Sequence, residues 1–359
     1  VTMRVALLTY STKPRGGVVH TLNLAEALAA RGVAVTVWSL ARAGDRGFFR
    51  AVDPAVTVKL VEFTDLPGDS VTDRIVRSIS TLRAAFCADD FDIIHAQDCI
   101  SANAVGPCIR TIHHLDQFTT PVLAQCHERA IVEPYVRICV SAAVAAELHA
   151  GWGLSAEIIP NGVQAQRFID AASDTPALER WQTQLGRYVL AVGGIEPRKG
   201  TIDLVDAMGL VQQRDPSLSL VIAGGETLFD YRDYRAAFEQ RCAQRGVAPV
   251  ILDTVEDAEL PSLVAACEAF AFPSTKEGFG LAAMEALAAG RPVVARDLPV
   301  LREVFGGAVS FAGSVSGFAA ELLAVIDTPP DPAPALALAT SMTWDVAAAA
   351  HIDLYRRLC

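Results

Sequence analysis

Glu277 and Glu285 are separated by seven residues, with Gly278, Phe279 and Gly280 just after the first of them. The apolar run 269–272 predicts a buried strand, residues 273–279 its exit loop, and residues 280–289 a helix closed by Gly290 and Pro292. Glu277 then precedes a helix N-terminus, where the amides around Gly278, Phe279 and Gly280 can receive an anion. On that helix Leu281, Met284, Ala288 and Ala289 form the apolar side, and at about 100° per residue Glu285 falls among Leu281, Ala288 and Ala289. A carboxylate there needs a partner. Either Arg291 or Arg296 supplies one as a salt bridge, or a ligand does. A phosphate joined to a polyol would suit both the amides and the carboxylates.

Ligands of open parallel sheets gather at the carboxyl ends of strands, so the residues following each strand are weighed next. Gly16-Gly17 lies in a loop between a strand at 3–8 and a helix from about 18 to 31. Missing side chains there let backbone amides approach a phosphate, or simply make a tight turn. His113 and His114, with Asp116, follow the apolar run 105–112. His113 is either a ligand contact or a packed core histidine, and a zinc site from His113, His114, Asp116, Cys126 and His127 fits no known ligand spacing. His95, ending a strand at 91–94 and followed by Asp98, is a weaker candidate that packing alone would explain. In the loop 193–200, Arg198 and Lys199 can meet the charge of a diphosphate, or stay solvated as adjacent basic residues commonly do.

Glu277-Gly278-Phe279-Gly280 with Glu285-Ala286 resembles the E-x7-E signature of the retaining, nucleotide-sugar-dependent glycosyltransferases of the glycogen synthase and mannosyltransferase type. Pro160-Asn161-Gly162-Val163, Lys199-Gly200, Leu260-Pro261-Ser262-Leu263, Pro273-Ser274 and Gly290-Arg291-Pro292-Val293-Val294 match as well, and the similarity runs from residue 3 to about residue 344. The resemblance implies an α/β chain of GT-B fold, two Rossmann-like domains facing across a cleft. It assigns the nucleotide ribose to Glu285 and the donor sugar to Glu277 and His113. Gly16 and Gly17 match the family's Gly-Gly loop, Lys199 matches its phosphate lysine with Arg198 alongside, and Gly194, Gly278, Phe279, Gly280 and Leu281 fall in the donor-binding segments. Gly194 is a departure, because most relatives carry an arginine there. The implied reaction transfers a hexose, with retention, from a nucleotide diphosphate sugar to a small-molecule, glycan or lipid acceptor. No metal and no other cofactor is expected, since the leaving phosphate oxygen takes the acceptor proton. Two alternatives stand beside it: a sugar-nucleotide epimerase or hydrolase of the same fold, and a binding protein that has lost catalysis. The missing arginine favours the second; the intact Glu pair and Lys199 oppose it.

A chain of 359 residues exceeds what one core usually serves. Two βαβ starts, at 3–38 and 188–223, predict two Rossmann-like domains. Neither start is a dinucleotide fingerprint: G-x-G-x-x-G is missing, and the second strand ends Trp38-Ser39-Leu40 with no acid for a ribose, which disfavours NAD. The expected division is an acceptor-binding domain at 1–165, a connection with a short helix at 166–186, a nucleotide-sugar domain at 187–335, and a terminal helix at 336–359. After the Pro-rich break at 328–334, the resemblance has that helix crossing back to the first domain.

The composition is 52% hydrophobic, yet no apolar run approaches the roughly 20 residues needed to span a bilayer. Residues 1–9 form a strand pattern without a following cleavage site, and eight cysteines lie scattered without a CxxC pair. Both features predict a cytoplasmic protein with reduced thiols. A net charge of −11 with no long basic run argues against a nucleic-acid partner. Arg74, Arg77 and Arg83 punctuate an amphipathic pattern at 75–85 and read as a solvated face rather than a lipid-binding one, although the charge leaves local membrane contact open.

Overall fold

The computed structural model describes residues 2–42, 44–116, 118, 120–224 and 231–359. They form two compact units, Val1–Gly162 with Thr343–Cys359, and Val163–Met342.

The first unit alternates strands and helices: β1 Arg4–Leu8, α1 Gly16–Ala30, β2 Ala34–Arg42, β3 Thr57–Phe63, α2 Val71–Ala85, β4 Ile93–Ala96, α3 Cys99–Val105, β5 Ile109–Ile112, α4 Pro121–Val132, β6 Val136–Cys139, α5 Ala142–Trp152 and β7 Glu157–Ile158. All neighbouring strands are parallel, in the order β3-β2-β1-β4-β5-β6-β7. Parallel strands covered on both faces are apolar throughout, and β1 is buried from Val5 to Leu8. Two of the helices start at a capping box, in which a short polar side chain takes an orphan amide: Ser70 with Asp73 forms one on α2, and Asp98 with Ser101 one on α3. The strand order reverses beside β1, so the exits of β1 and β4 flank the crevice where this fold binds ligands.

Several sequence expectations shift here. Gly16 and Gly17 are not a loop but the first two residues of α1, whose start no side chain caps. The run 105–112 is not one strand: α3 ends at Val105, Gly106 turns the chain at φ 80, and β5 begins at Ile109. His95 lies inside β4 rather than at its end and is fully buried. Arg77 and Arg83, read as part of a solvated face, bond to their own unit, Arg77 to Asp69 and the Thr64 carbonyl and Arg83 to the Asn103 and Ala104 carbonyls.

The second unit holds α6 Ala165–Ala171, α7 Thr175–Leu185, β8 Arg187–Val192, α8 Thr201–Arg214, β9 Leu218–Ala223, α9 Arg232–Arg245, β10 Val250–Leu252, α10 Leu260–Ala265, β11 Ala269–Phe272, α11 Leu281–Ala288, β12 Val293–Arg296, α12 Pro299–Phe305, β13 Ser310–Ala312, α13 Val315–Asp327 and α14 Ala333–Ser341. Its six parallel strands run β10-β9-β8-β11-β12-β13. Val189, Leu220, Ala269 and Ala271 of the sheet pack with Leu204, Met208, Phe318 and Leu322 of α8 and α13. Here the order reverses between β8 and β11, which brings the loops carrying Lys199 and Glu277 side by side.

The chain closes with α15, Trp344–Leu358, which Thr343 caps and which packs on α1 of the first unit. Its Tyr355 hydroxyl meets His95 Nδ1 at 2.7 Å. Among the described residues no helix is long and apolar enough to cross a membrane.

Candidate active site

The loops after β8 and β11 are locked together before any ligand is considered. Gly200 has φ 64, and a Cβ there would stand 2.3 Å from the Pro273 carbonyl oxygen. Only glycine allows that approach. The Thr275 amide donates to the Arg198 carbonyl at 2.8 Å. Across this seam Glu277 Oε1 accepts from Lys199 Nζ at 2.6 Å, Ser274 Oγ at 2.9 Å and Arg198 Nη1 at 3.2 Å. Arg198 Nη2 also reaches Glu196 Oε1 at 2.9 Å. The Glu277 side chain is 10% exposed. Burial alone would raise its pKa, but the charges of Lys199 and Arg198 and its hydrogen bonds override that and hold it at about 2. Its Oε2 accepts no hydrogen bond among the described residues and is not sealed from solvent. The site therefore presents two cations, a fixed carboxylate with one oxygen to spare, and a helix start. Lys199 Nζ sits 5.5 Å from the Phe272 ring centroid, which keeps it over an apolar floor.

Gly280 caps α11 at φ 100, a conformation that favours glycine, and a Cβ there would stand 3.0 Å from Phe305. Phe279 is 3% exposed and anchors the turn. Leu281 and Glu285 both sit on the half-buried side of α11, whereas Ala283, Met284, Ala286, Leu287 and Ala288 are buried. Glu285 is paired with neither Arg291 nor Arg296: Arg296 bonds to the Pro273 carbonyl and Asp203. Burial raises Glu285 to about 7, opposed by the charge of Arg167 and reinforced by Asp257. Arg167 and Asp257, 2.7 Å apart, carry no motif that marks them beforehand. Glu196 and Ser274 each bond within their own loop, to Arg198 and Glu277, and gain their place in the site only because Arg198 and Lys199 meet Glu277 across the seam.

In the first unit, His113 follows β5 and is partly buried. Burial and the neighbouring His20 and Arg110 keep its pKa well below the usual histidine value. Gly17 lies beside it: a Cβ there would be 3.6 Å from His113 Cδ2 and Nε2. His114 turns to Asp116 at 3.3 Å instead. His95 is held by Tyr355 and by Thr111 Oγ1, each at 2.7 Å, as a packed core residue. Among the described residues no three His, Cys, Asp or Glu side chains converge as metal ligands.

Two all-parallel α/β units, the second with its charged residues at the switch point, define a GT-B protein. Two family models match, Glycosyltransferase Family 4 over residues 14–167 and Glycosyl transferases group 1 over residues 179–328. The chain is 30% identical over 322 residues to the phosphatidyl-myo-inositol mannosyltransferase of Mycobacterium tuberculosis, covering 84% of this chain and 80% of that one. It is 29% identical over 353 residues to the D-inositol 3-phosphate glycosyltransferase of Jonesia denitrificans, with 82% and 80% covered. The chain belongs to this glycosyltransferase family. Its fold is shared with Anabaena HepE in complex with UDP and glucose, at TM-score 0.75 and 22% identity over 98% of each chain. Sucrose-phosphate synthase of Thermosynechococcus elongatus gives TM-score 0.76 and 19% identity over 99% of each chain.

Proposed function

We propose that this glycosyltransferase moves a hexose, with retention, from a nucleotide diphosphate sugar to a polyol or polyol-phosphate acceptor. The observation that carries this reading is the cluster of Lys199, Arg198, Ser274 and Glu277 at the start of α11. A diphosphate needs cations and amides in a partly dry site, and a sugar needs a fixed carboxylate; one seam offers both. The second unit is assigned to the donor, with Glu285 on the ribose, Glu277 on the sugar, and Gly194, Gly278, Phe279, Gly280 and Leu281 lining it. The first unit is assigned to the acceptor, with His113, Gly16 and Gly17 reserved for donor groups as the family pattern suggests. The Anabaena neighbour, in complex with UDP and glucose, supports a UDP-type donor, and the relatives named for inositol compounds support the acceptor class.

In the proposed reaction the acceptor hydroxyl oxygen bonds to the anomeric carbon as the bond from that carbon to the diphosphate oxygen breaks. The acceptor proton passes to the departing phosphate oxygen on the same face. Charge growing on the diphosphate is met by Lys199, Arg198 and the α11 amides, so no metal or other cofactor is assigned. A cytoplasmic location suits eight unpaired cysteines. The test is a matrix of UDP-, GDP- and ADP-hexoses against free inositol and inositol phosphates, with the product's anomeric configuration read by NMR. Retention with one donor is the expected result, and an inverted product or no transfer with any donor would overturn it.

A further inference from the structure

The first unit buries His20, His95 and His351 in one cluster, and His20 meets the partly buried His113, the residue assigned to the donor sugar. His20 lies one helical turn beyond Gly17 on α1, so the two share a face. Against that face stands His113, with its Nε2 edge 3.6 Å from the position of a Gly17 Cβ and its ring edge-on to His20 at 4.8 Å and 76°. His113 Nε2 is sealed from solvent without a hydrogen-bond partner, whereas its Nδ1 is neither sealed nor bonded among the described residues. The two nitrogens therefore differ: one faces the core, the other faces outward.

Which nitrogen carries the hydrogen follows from the next residue inward. His20 Nδ1 is 2.9 Å from Asn161 Oδ1, and a carboxamide oxygen can only accept, so Nδ1 holds the hydrogen and His20 Nε2 keeps a bare lone pair. Burial holds His20 neutral, with its pKa at about 3. Asn161 is itself fixed, because Gly162 presses on α15 so closely that a Cβ would stand 2.2 Å from the Trp344 amide nitrogen. A hydrogen on His113 Nδ1 would leave two bare buried lone pairs side by side, on His113 Nε2 and His20 Nε2. A hydrogen on His113 Nε2 leaves only one, on His20 Nε2, and the donor stands in a ring whose centroid is 4.8 Å from that of His20. We propose that Asn161 and His20 are positioning residues that hold His113 as the Nε2–H tautomer, leaving its Nδ1 lone pair to accept a hydrogen bond from a ligand hydroxyl. The ligand part rests on His113 contacting the transferred sugar, as assigned above; the tautomer does not. Trp344 is a competing donor to His20, since its indole nitrogen is also buried and unpartnered and its ring lies 5.2 Å away.

The experiment is a long-range proton–nitrogen correlation spectrum of the full chain labelled in its imidazole nitrogens, without ligand at pH 7.5, with His113 assigned by its loss in His113→Gln. The expected wild-type spectrum shows neutral His113 protonated at Nε2. His20→Phe and Asn161→Ala should each move it to a mixture of tautomers, and Trp344→Phe should leave it unchanged. Wild-type His113 protonated at Nδ1 overturns the proposal, even if every variant fails to fold. So does a His113 signal indifferent to both His20→Phe and Asn161→Ala, or one moved by Trp344→Phe as far as by His20→Phe. With the donor in hand, His20→Phe should lower kcat on the order of tenfold while nucleoside diphosphate binding is unchanged. If wild type binds no nucleoside diphosphate, the proposed function fails while the tautomer result stands.

Discussion

Glu285 titrates where most assays are run, and this sets a pH dependence. Its folded pKa of about 7 lies above the ordinary value of 4.5. Below pH 7 the carboxyl is protonated and accepts ribose hydroxyls less well, so nucleoside diphosphate affinity should rise with pH up to about 7 and then level off. Calorimetry between pH 5.5 and 8.5 reads this directly, and Glu285→Gln should bind weakly at every pH with the slope removed. The stability sign is opposite. The folded chain keeps a proton that the unfolded chain has lost between pH 4.5 and 7, so the ionised carboxylate costs stability above pH 7. Glu285→Gln should then gain on the order of 1 to 3 kcal/mol at pH 8 in the absence of ligand. A variant less stable than wild type would mean that Arg167 compensates the charge fully. Glu277 behaves otherwise, because its ionised form is already held by Lys199 and Arg198. Glu277→Ala releases Lys199 toward the diphosphate while Glu196 still holds Arg198, so nucleotide affinity should hold or tighten while turnover falls about a hundredfold or more. Arg198→Ala and Lys199→Ala should each lose about 1.5 to 3 kcal/mol of donor binding, and Gly194→Arg should partly restore the Arg198 variant. A neutral Arg198→Ala would leave Lys199 as the working cation.

At the scale of elements, α15 is docked through neutral imidazoles. His351 on α15 and His20 on α1 have pKa values of about 4 and 3, lowered first by burial, and His95 on β4 joins them. Each binds a proton more readily in the unfolded chain, so stability is intact above pH 6.5 and is lost as pH falls from there toward 4. At pH 5 each of His20 and His351 should cost on the order of 2 kcal/mol. Chemical denaturation at pH 7.5 and 5 should show this loss, and His351→Leu should reduce it. How legible these elements were depends on how local their signals are. The strands at 269–272 and 218–223 follow from apolar runs, and the structure places both of them there. The boundary at 105–109 is hidden in the sequence because an apolar run bridges Gly106-Pro107, a break strong enough to end α3. The His20–Asn161 bond joins residues 141 apart, and no periodicity announces it. The glutamate pair was legible because its spacing spans a single turn and helix.

For the whole molecule, each unit carries its own sheet and its own core, and the two proposed sensitivities fall on different units: nucleotide on the second, acid on the first. A ligand present at a hundred times its Kd stabilises the state that binds it by about 2.7 kcal/mol. Scanning calorimetry with UDP, GDP and ADP should therefore raise the transition of the second unit, while a shift from pH 7.5 to 5 lowers that of the first. Excess EDTA should leave both the nucleotide shift and turnover in place, because Lys199, Arg198 and the α11 start supply the positive potential that a metal would otherwise bring. A nucleotide shift that vanishes with EDTA and returns only with added divalent metal would contradict that assignment. Failure of all three nucleotides at millimolar concentration would remove the donor site from the second unit. Lys199, Arg198, Glu277 and Glu196 would then be a structural charge cluster that closes two loops, with equal numbers of positive and negative groups and none left for a ligand.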